Sequence, residues 1–141
     1  EAIINKFLSY YCLPFTEIQK KAIRYLNKPY GGNCIILLEE NYGISCAQFL
    51  PDQSCSLHYH NIKKEFFLVK EGRLTLILED TKSEIEQGNF SFSTPQTKHS
   101  LINNSKKNLE ILELFSPPFL NDKVRLLDKY NRKRGLVTHE E

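Results

Sequence analysis

The sequence predicts an all-β protein, a sandwich or barrel of short antiparallel strands with short helices at either end. Three observations carry this. Between residues 34 and 115, short apolar segments rich in Ile, Leu, Val and Phe follow one another closely. Short polar separators stand between them, such as Glu71-Gly72, Asp80-Thr81-Lys82, Gln87-Gly88 and Asn103-Asn104-Ser105. The hydrophobic period also changes near Pro29, from the 3.6 of a helix to the 2 of a strand.

Residues 1–27 form the helical extension. Ile3, Ile4, Phe7, Leu8 and Tyr11 recur at helical spacing until Pro14 interrupts. Thr16 is placed to cap a second helix, with Ile18, Ala22, Ile23 and Leu26 on one stripe. These helices are expected to pack on the barrel. Residues 29–33 form a turn. Strands follow at 34–39, 44–50, a histidine-bearing stretch after the turn at 51–53, then 66–70, 74–79, 83–86, 90–93, 99–103 and 109–115. Phe67, Phe90 and Phe92 are expected in the core. The barrel thus spans 28–116. In residues 117–141, Val124, Leu127 and Tyr130 fit a short helical face capped by Asn121 or Asp122. Arg132-Lys133-Arg134 reads as a solvated basic cluster, and the last six residues as frayed.

Composition narrows the function. The chain has 141 residues, 40% hydrophobic and 26% charged, enough for one domain with its own core. A net charge of +2 gives no electrostatic footprint for nucleic acid or a membrane surface. No apolar run approaches the ~20 residues of a membrane-spanning helix. The cysteines Cys12, Cys34, Cys46 and Cys55 form no CxxC pair, which favours free thiols in a reducing cytoplasm. Methionine is absent, so the numbering is expected to begin inside a longer gene product.

The chemistry concentrates in residues 56–72, SLHYHNIKKEFFLVKEG. His58 and His60 are two apart, and alternate strand residues share a face. Residues 61–64 can turn the chain back, and Glu65 then opens a strand whose inward face is Glu65, Phe67 and Val69. Two imidazoles and a carboxylate suit a borderline divalent ion, with His99 as the candidate fourth ligand. The plain alternative is that each is a surface or packing residue.

The pattern His58-x-His60, four residues, Glu65, six residues, Gly72 resembles the first cupin motif. Gly88, His99 and Asn103 resemble the second. The resemblance implies a cupin jelly-roll barrel holding one divalent metal ion (Zn, Mn, Ni, Fe or Co) on His58, His60, Glu65 and His99. A narrower likeness runs through Lys28-Pro29-Tyr30-Gly31-Gly32, Thr97-Lys98-His99, the segment 109–113 and the string DKVRLLDKYNR at 122–132. These are similar to the cupin domain of type II mannose-6-phosphate isomerases, which usually have Gln where this chain has His58.

That likeness implies a metal-dependent sugar-phosphate or nucleotide-sugar isomerase or epimerase. Lys98 is a candidate base, with a structural salt bridge as its plain alternative. Arg125 matches the family's arginine, a candidate for catalysis and for pairing with a phosphate. Its alternative is a salt bridge to Asp122 or Asp128. Lys63, beside the metal loop, is a candidate for drawing in an anionic substrate. The expected partners are a sugar phosphate or nucleotide sugar and a second copy in a homodimer, with no nucleic acid and no membrane. An iron-dependent cupin dioxygenase and a non-catalytic sugar-binding or sensory cupin are the other classes.

Overall fold

The computed structural model describes residues 2–138. His139 and the two residues after it lie outside that range. Two helices lead the chain, α1 (Ala2–Leu8) and α2 (Phe15–Lys21). Twelve strands follow: β1 (Arg24–Lys28), β2 (Gly31–Leu38), β3 (Gly43–Phe49), β4 (Leu57–Tyr59), β5 (Lys64–Glu71), β6 (Arg73–Leu78), β7 (Thr81–Glu86), β8 (Phe90–Ser93), β9 (His99–Ile102), β10 (Leu109–Ser116), β11 (Lys123–Leu127) and β12 (Gly135–Val137). They form two six-stranded sheets, ordered β1-β2-β3-β10-β5-β8 and β12-β11-β4-β9-β6-β7. This is the jelly-roll architecture expected, and the nine strands predicted between residues 34 and 115 are all present.

Period-two alternation explains the interior. Phe49, Phe67, Val69, Leu109 and Ile111 of the first sheet meet Leu74, Leu76, Ile85 and Leu101 of the second. The outer face of the first sheet is covered too. Phe7, Phe15 and Ile18 of the helices pack on Cys34, Ile36, Ile44, Cys46, Leu68 and Leu112. A fully buried aliphatic side chain such as Ile18 contributes about 1.5–3 kcal/mol. Strands β2, β3 and β10 therefore bury both faces, which is why they are nearly continuous apolar runs.

The structure corrects several expectations. The second helix starts after Pro14, whose carbonyl accepts from the amides of Glu17 and Ile18, so Thr16 is not its cap. Residues 24–27 are strand, because Arg24-Tyr25-Leu26-Asn27-Lys28 alternates exposed and buried and pairs along the edge of β2. The C-terminal helix does not form. Val124 and Leu127 lie in β11 and Tyr130 in the turn after it, with β11 paired to β4 on one side and β12 on the other. Without β11, β4 would leave an unpaired backbone edge, and such edges demand partners. Leu136 and Val137, expected to fray, sit in β12. Phe90 and Phe92 are not core. Their register opposite Leu68 and Phe66 puts them on the outer face of edge strand β8, 58% and 59% exposed. Arg132 is not simply solvated. It forms a two-pronged ion pair with Asp128 at 2.8 and 2.9 Å and lies over the Tyr130 ring.

Candidate metal centre

The three histidines meet at one end of the barrel interior. His58 lies in β4, and His99 opens β9 directly opposite it in register. His60 follows two residues after His58 on the same face. Their ring centroids are 4.4 Å apart for His58 and His99, 5.0 Å for His58 and His60, and 5.3 Å for His60 and His99. One ligand atom from each can be chosen so that all three lie within 4.8 Å of one another. Glu65 reaches them from β5 in the facing sheet. Its Oε1 is 3.0 Å from His60 Nε2 and 3.2 Å from His99 Nε2.

Backbone carbonyls set the tautomers. His58 Nδ1 lies 2.8 Å from the Ser56 carbonyl, His99 Nδ1 3.0 Å from that of Thr97, and His60 Nδ1 against that of Asp122. A carbonyl only accepts, so each Nδ1 carries the proton and donates. In the neutral ring this leaves Nε2 as a bare lone pair, the state a metal ligand needs. Burial, with His99 and Lys123 nearby, holds His58 well below the usual imidazole range and so in its neutral form.

A divalent ion fits these residues. His60 Nε2, His99 Nε2 and Glu65 Oε1 are buried and have no hydrogen-bond partner among the described residues. Buried polar atoms are rarely left so, and three converging on one point suit a cation. Burial alone would push the Glu65 carboxyl up. In the metal-free protein the positive charge of the His60 ring when doubly protonated, with the Lys63 ammonium, outweighs it, and Glu65 stays well below the usual carboxylate range. The donor set of three nitrogens and one oxygen is that of a borderline divalent metal.

The other expected residues are placed differently. Lys63 is buried, its Nζ 3.7 Å from Glu65 Oε2 and over the Phe115 ring, and it lines the cavity at the histidines. Lys98 is exposed and outside that cavity, and its amide donates to Glu79. Arg125 stands opposite His58 in register but is 1% exposed. Its Nη1 donates to the Lys133 carbonyl at 2.9 Å, so the guanidinium braces the turn between β11 and β12. Asp128 binds Arg132, and Asp122 binds backbone amides. Asn103 is wholly buried and structural, donating to the carbonyls of Phe49 and Lys107.

Two cavity residues escaped the sequence reading. Glu113 pairs in register with Ser45 and Phe67, both buried, so its carboxyl faces the interior. Its signal was available: in LEILELF it shares the parity of Leu109, Ile111 and Phe115. Burial, then the charge of Glu65, pushes the Glu113 carboxyl up to about 8. Lys123 lines the same cavity from β11. Burial, with Lys63 and Arg125 nearby, brings its ammonium down to about 8. Reading 123–127 as helix concealed its inward face. The cavity itself is about 40 Å³.

Comparison with known proteins agrees with the fold. The family described as Cupin domain matches residues 47–115. The uncharacterised protein MJ1618 of Methanocaldococcus jannaschii is 29% identical over 72 residues, which are 51% of this chain and 58% of that protein. The matched region therefore spans little more than half of that relative. The structure of KdgF from Halomonas sp. superposes with a TM-score of 0.60 at 20% identity, covering 64% of this chain and 82% of that one. Oxalate decarboxylase from Bacillus subtilis gives 0.67 at 16% identity, covering 73% of this chain and 30% of that one. At these identities the likeness establishes the cupin jelly-roll fold.

Proposed function

We propose that this cupin-domain protein is a divalent-metal isomerase or epimerase that moves protons on a sugar, sugar phosphate or nucleotide-linked sugar. The ligands are His58, His60, His99 and Glu65. The observation that carries this reading is that Glu113 and Lys123, a carboxyl that burial pushes up and an ammonium that burial brings down in the metal-free protein, face the cavity that holds the three histidines. A metal ion there supplies a Lewis acid for a substrate oxygen. The chain supplies the proton transfers. A group with a pKa near the working pH both takes and returns a proton efficiently. One of Glu113 and Lys123 takes the carbon-bound proton and delivers it to the neighbouring carbon. The other serves the oxygen, so the substrate ends with the same atoms rearranged.

For the anionic end, Lys63 keeps the role expected from the sequence and Lys123 takes the place of Arg125. Arg125 is held by the C-terminal turn, whereas Lys63 and Lys123 line the cavity. A cavity of about 40 Å³ is well below the ~300 Å³ and more of pockets that enclose a whole ligand. The reacting carbons enter it, and the rest of a sugar phosphate lies at its mouth.

The test pairs elemental analysis with proton exchange. Purified protein should carry about one divalent ion per chain, and His60→Ala should lose it. In deuterated water, incubation with mannose 6-phosphate, fructose 6-phosphate and related sugars should place deuterium at the carbon next to the carbonyl. Glu113→Gln and Lys123→Ala should each slow this by about 10²–10⁴ while keeping metal. Absence of both deuterium exchange and product formation with every sugar, or full activity in both variants, rules the reading out. Ferrous iron with oxygen uptake would move the protein to the dioxygenases.

A further inference from the structure

The residue just before Lys123 holds the metal loop from the opposite end of the chain. Asp122 Oδ1 accepts from the Asn61 amide at 2.9 Å. Its Oδ2 accepts from the amides of Ile62 at 2.8 Å and Lys63 at 2.9 Å. Its own carbonyl accepts from His60 Nδ1. Four donors from four consecutive residues thus converge on one aspartate about 60 positions away. It is only 8% exposed. Three successive amides pointing at one carboxylate form an anion-binding nest.

We infer that Asp122 is a positioning residue, the latch through which β11 shapes the turn at 61–63 and aims His60 and Glu65 at the metal. The carboxylate fixes the turn that separates these two ligands. The carbonyl fixes the His60 ring. Since any residue at 122 keeps the carbonyl, substitution isolates the carboxylate's part. The same anchorage sets the start of β11, and so delivers Lys123 to the cavity. Outer partners of this kind commonly govern metal affinity by 10–100-fold. The inference rests on the metal reading above for its ligands, but the latch itself is a property of the fold.

The experiment uses the full chain and zinc alone, in competition with a chromophoric chelator, well below the unfolding temperature. Asp122→Ala should bind zinc 10–100-fold more weakly. Asp122→Asn keeps one acceptor oxygen and should fall between. Gly72→Ala, remote from the site, should lower the unfolding temperature yet leave zinc affinity unchanged, which separates positioning from general stability. Amide hydrogen exchange at Asn61, Ile62 and Lys63 is measured without metal. These amides should be protected in the wild type and exchange faster in both Asp122 variants. Wild-type zinc affinity in folded Asp122→Ala, or unprotected amides in the wild type, overturns the latch. If the wild type binds no zinc, the metal reading fails, while the exchange result still decides the latch. Should Asp122→Ala not fold, Asp122→Asn carries both measurements.

Discussion

Each of the three imidazoles donates Nδ1–H to a backbone carbonyl, and this commitment leaves the Nε2 atoms bare. The chemistry around them depends on two side chains with displaced proton affinities. In the metal-free protein, burial makes the folded state bind the Glu113 proton more tightly than the unfolded chain does. Between pH 4.5, the ordinary value, and about 8, the native protein carries the extra proton. This contribution is full at the acid end of that window and is lost as pH rises through about 8. Lys123 acts in the opposite sense and higher, with stability rising from about 8 towards 10.5. The windows barely overlap. Urea unfolding of metal-free protein from pH 6.5 to 8, above the range in which the neutral His58 ring opposes the trend, should therefore show a loss of stability with rising pH that is smaller in Glu113→Gln. Equal slopes in the two proteins would mean that Glu113 is not held protonated by the fold.

At the scale of elements, the hairpin between β5 and β6 turns on Gly72. Its φ is +85°, and a Cβ there would lie 2.6 Å from the Asn108 carbonyl oxygen. Gly135, entering β12, has φ +83° with nothing within 4 Å. The pair separates backbone strain from collision. Gly135→Ala should cost about 1–2 kcal/mol, the left-handed conformation alone. Gly72→Ala should cost more, about 3 kcal/mol, because backbone must move as well. Chemical denaturation of both variants checks the order. Strands β1 and β11 show a different logic. Each is short: β1 forms the edge of the first sheet against β2, and β11 lies between β4 and β12 in the second, so their pairing partners come from elsewhere in the chain. Val124, Leu127 and Tyr130 have helical spacing, but pairing with β4 and β12 on both sides outweighs the modest preference of so short a helix.

For the whole molecule, the candidate metal centre bridges the two sheets. Glu65 comes from the first, and His58, His60 and His99 belong to the second. An ion bound across that gap favours the folded state alone. Zinc at 100 times its dissociation constant should add about 2.7 kcal/mol. Calorimetry should then show a rise in unfolding temperature on zinc addition and its reversal by chelator. His60→Ala should show neither. A zinc-dependent rise of full size in that variant would place the ion elsewhere. The helices contribute differently. Phe7, Phe15 and Ile18 shield the outer face of the first sheet, so its central strands are buried on both sides.

The amino-acid sequence alone determined the nine central strands and the grouping of His58, His60, Glu65 and His99. Alternation within a strand and fixed spacing around a turn are local properties, written in neighbouring residues. Tertiary structure decided the rest. It made strands of 24–28, 123–127 and 135–137, turned Phe90 and Phe92 outward, and drew Arg125 into the C-terminal turn. It also brought Glu113 and Lys123 into the cavity and set Asp122 on the turn at 61–63. These outcomes depend on which strands lie side by side. Backbone groups at a sheet edge, and charges in a shared cavity, take their partners from residues tens of positions away, and no local period records that choice.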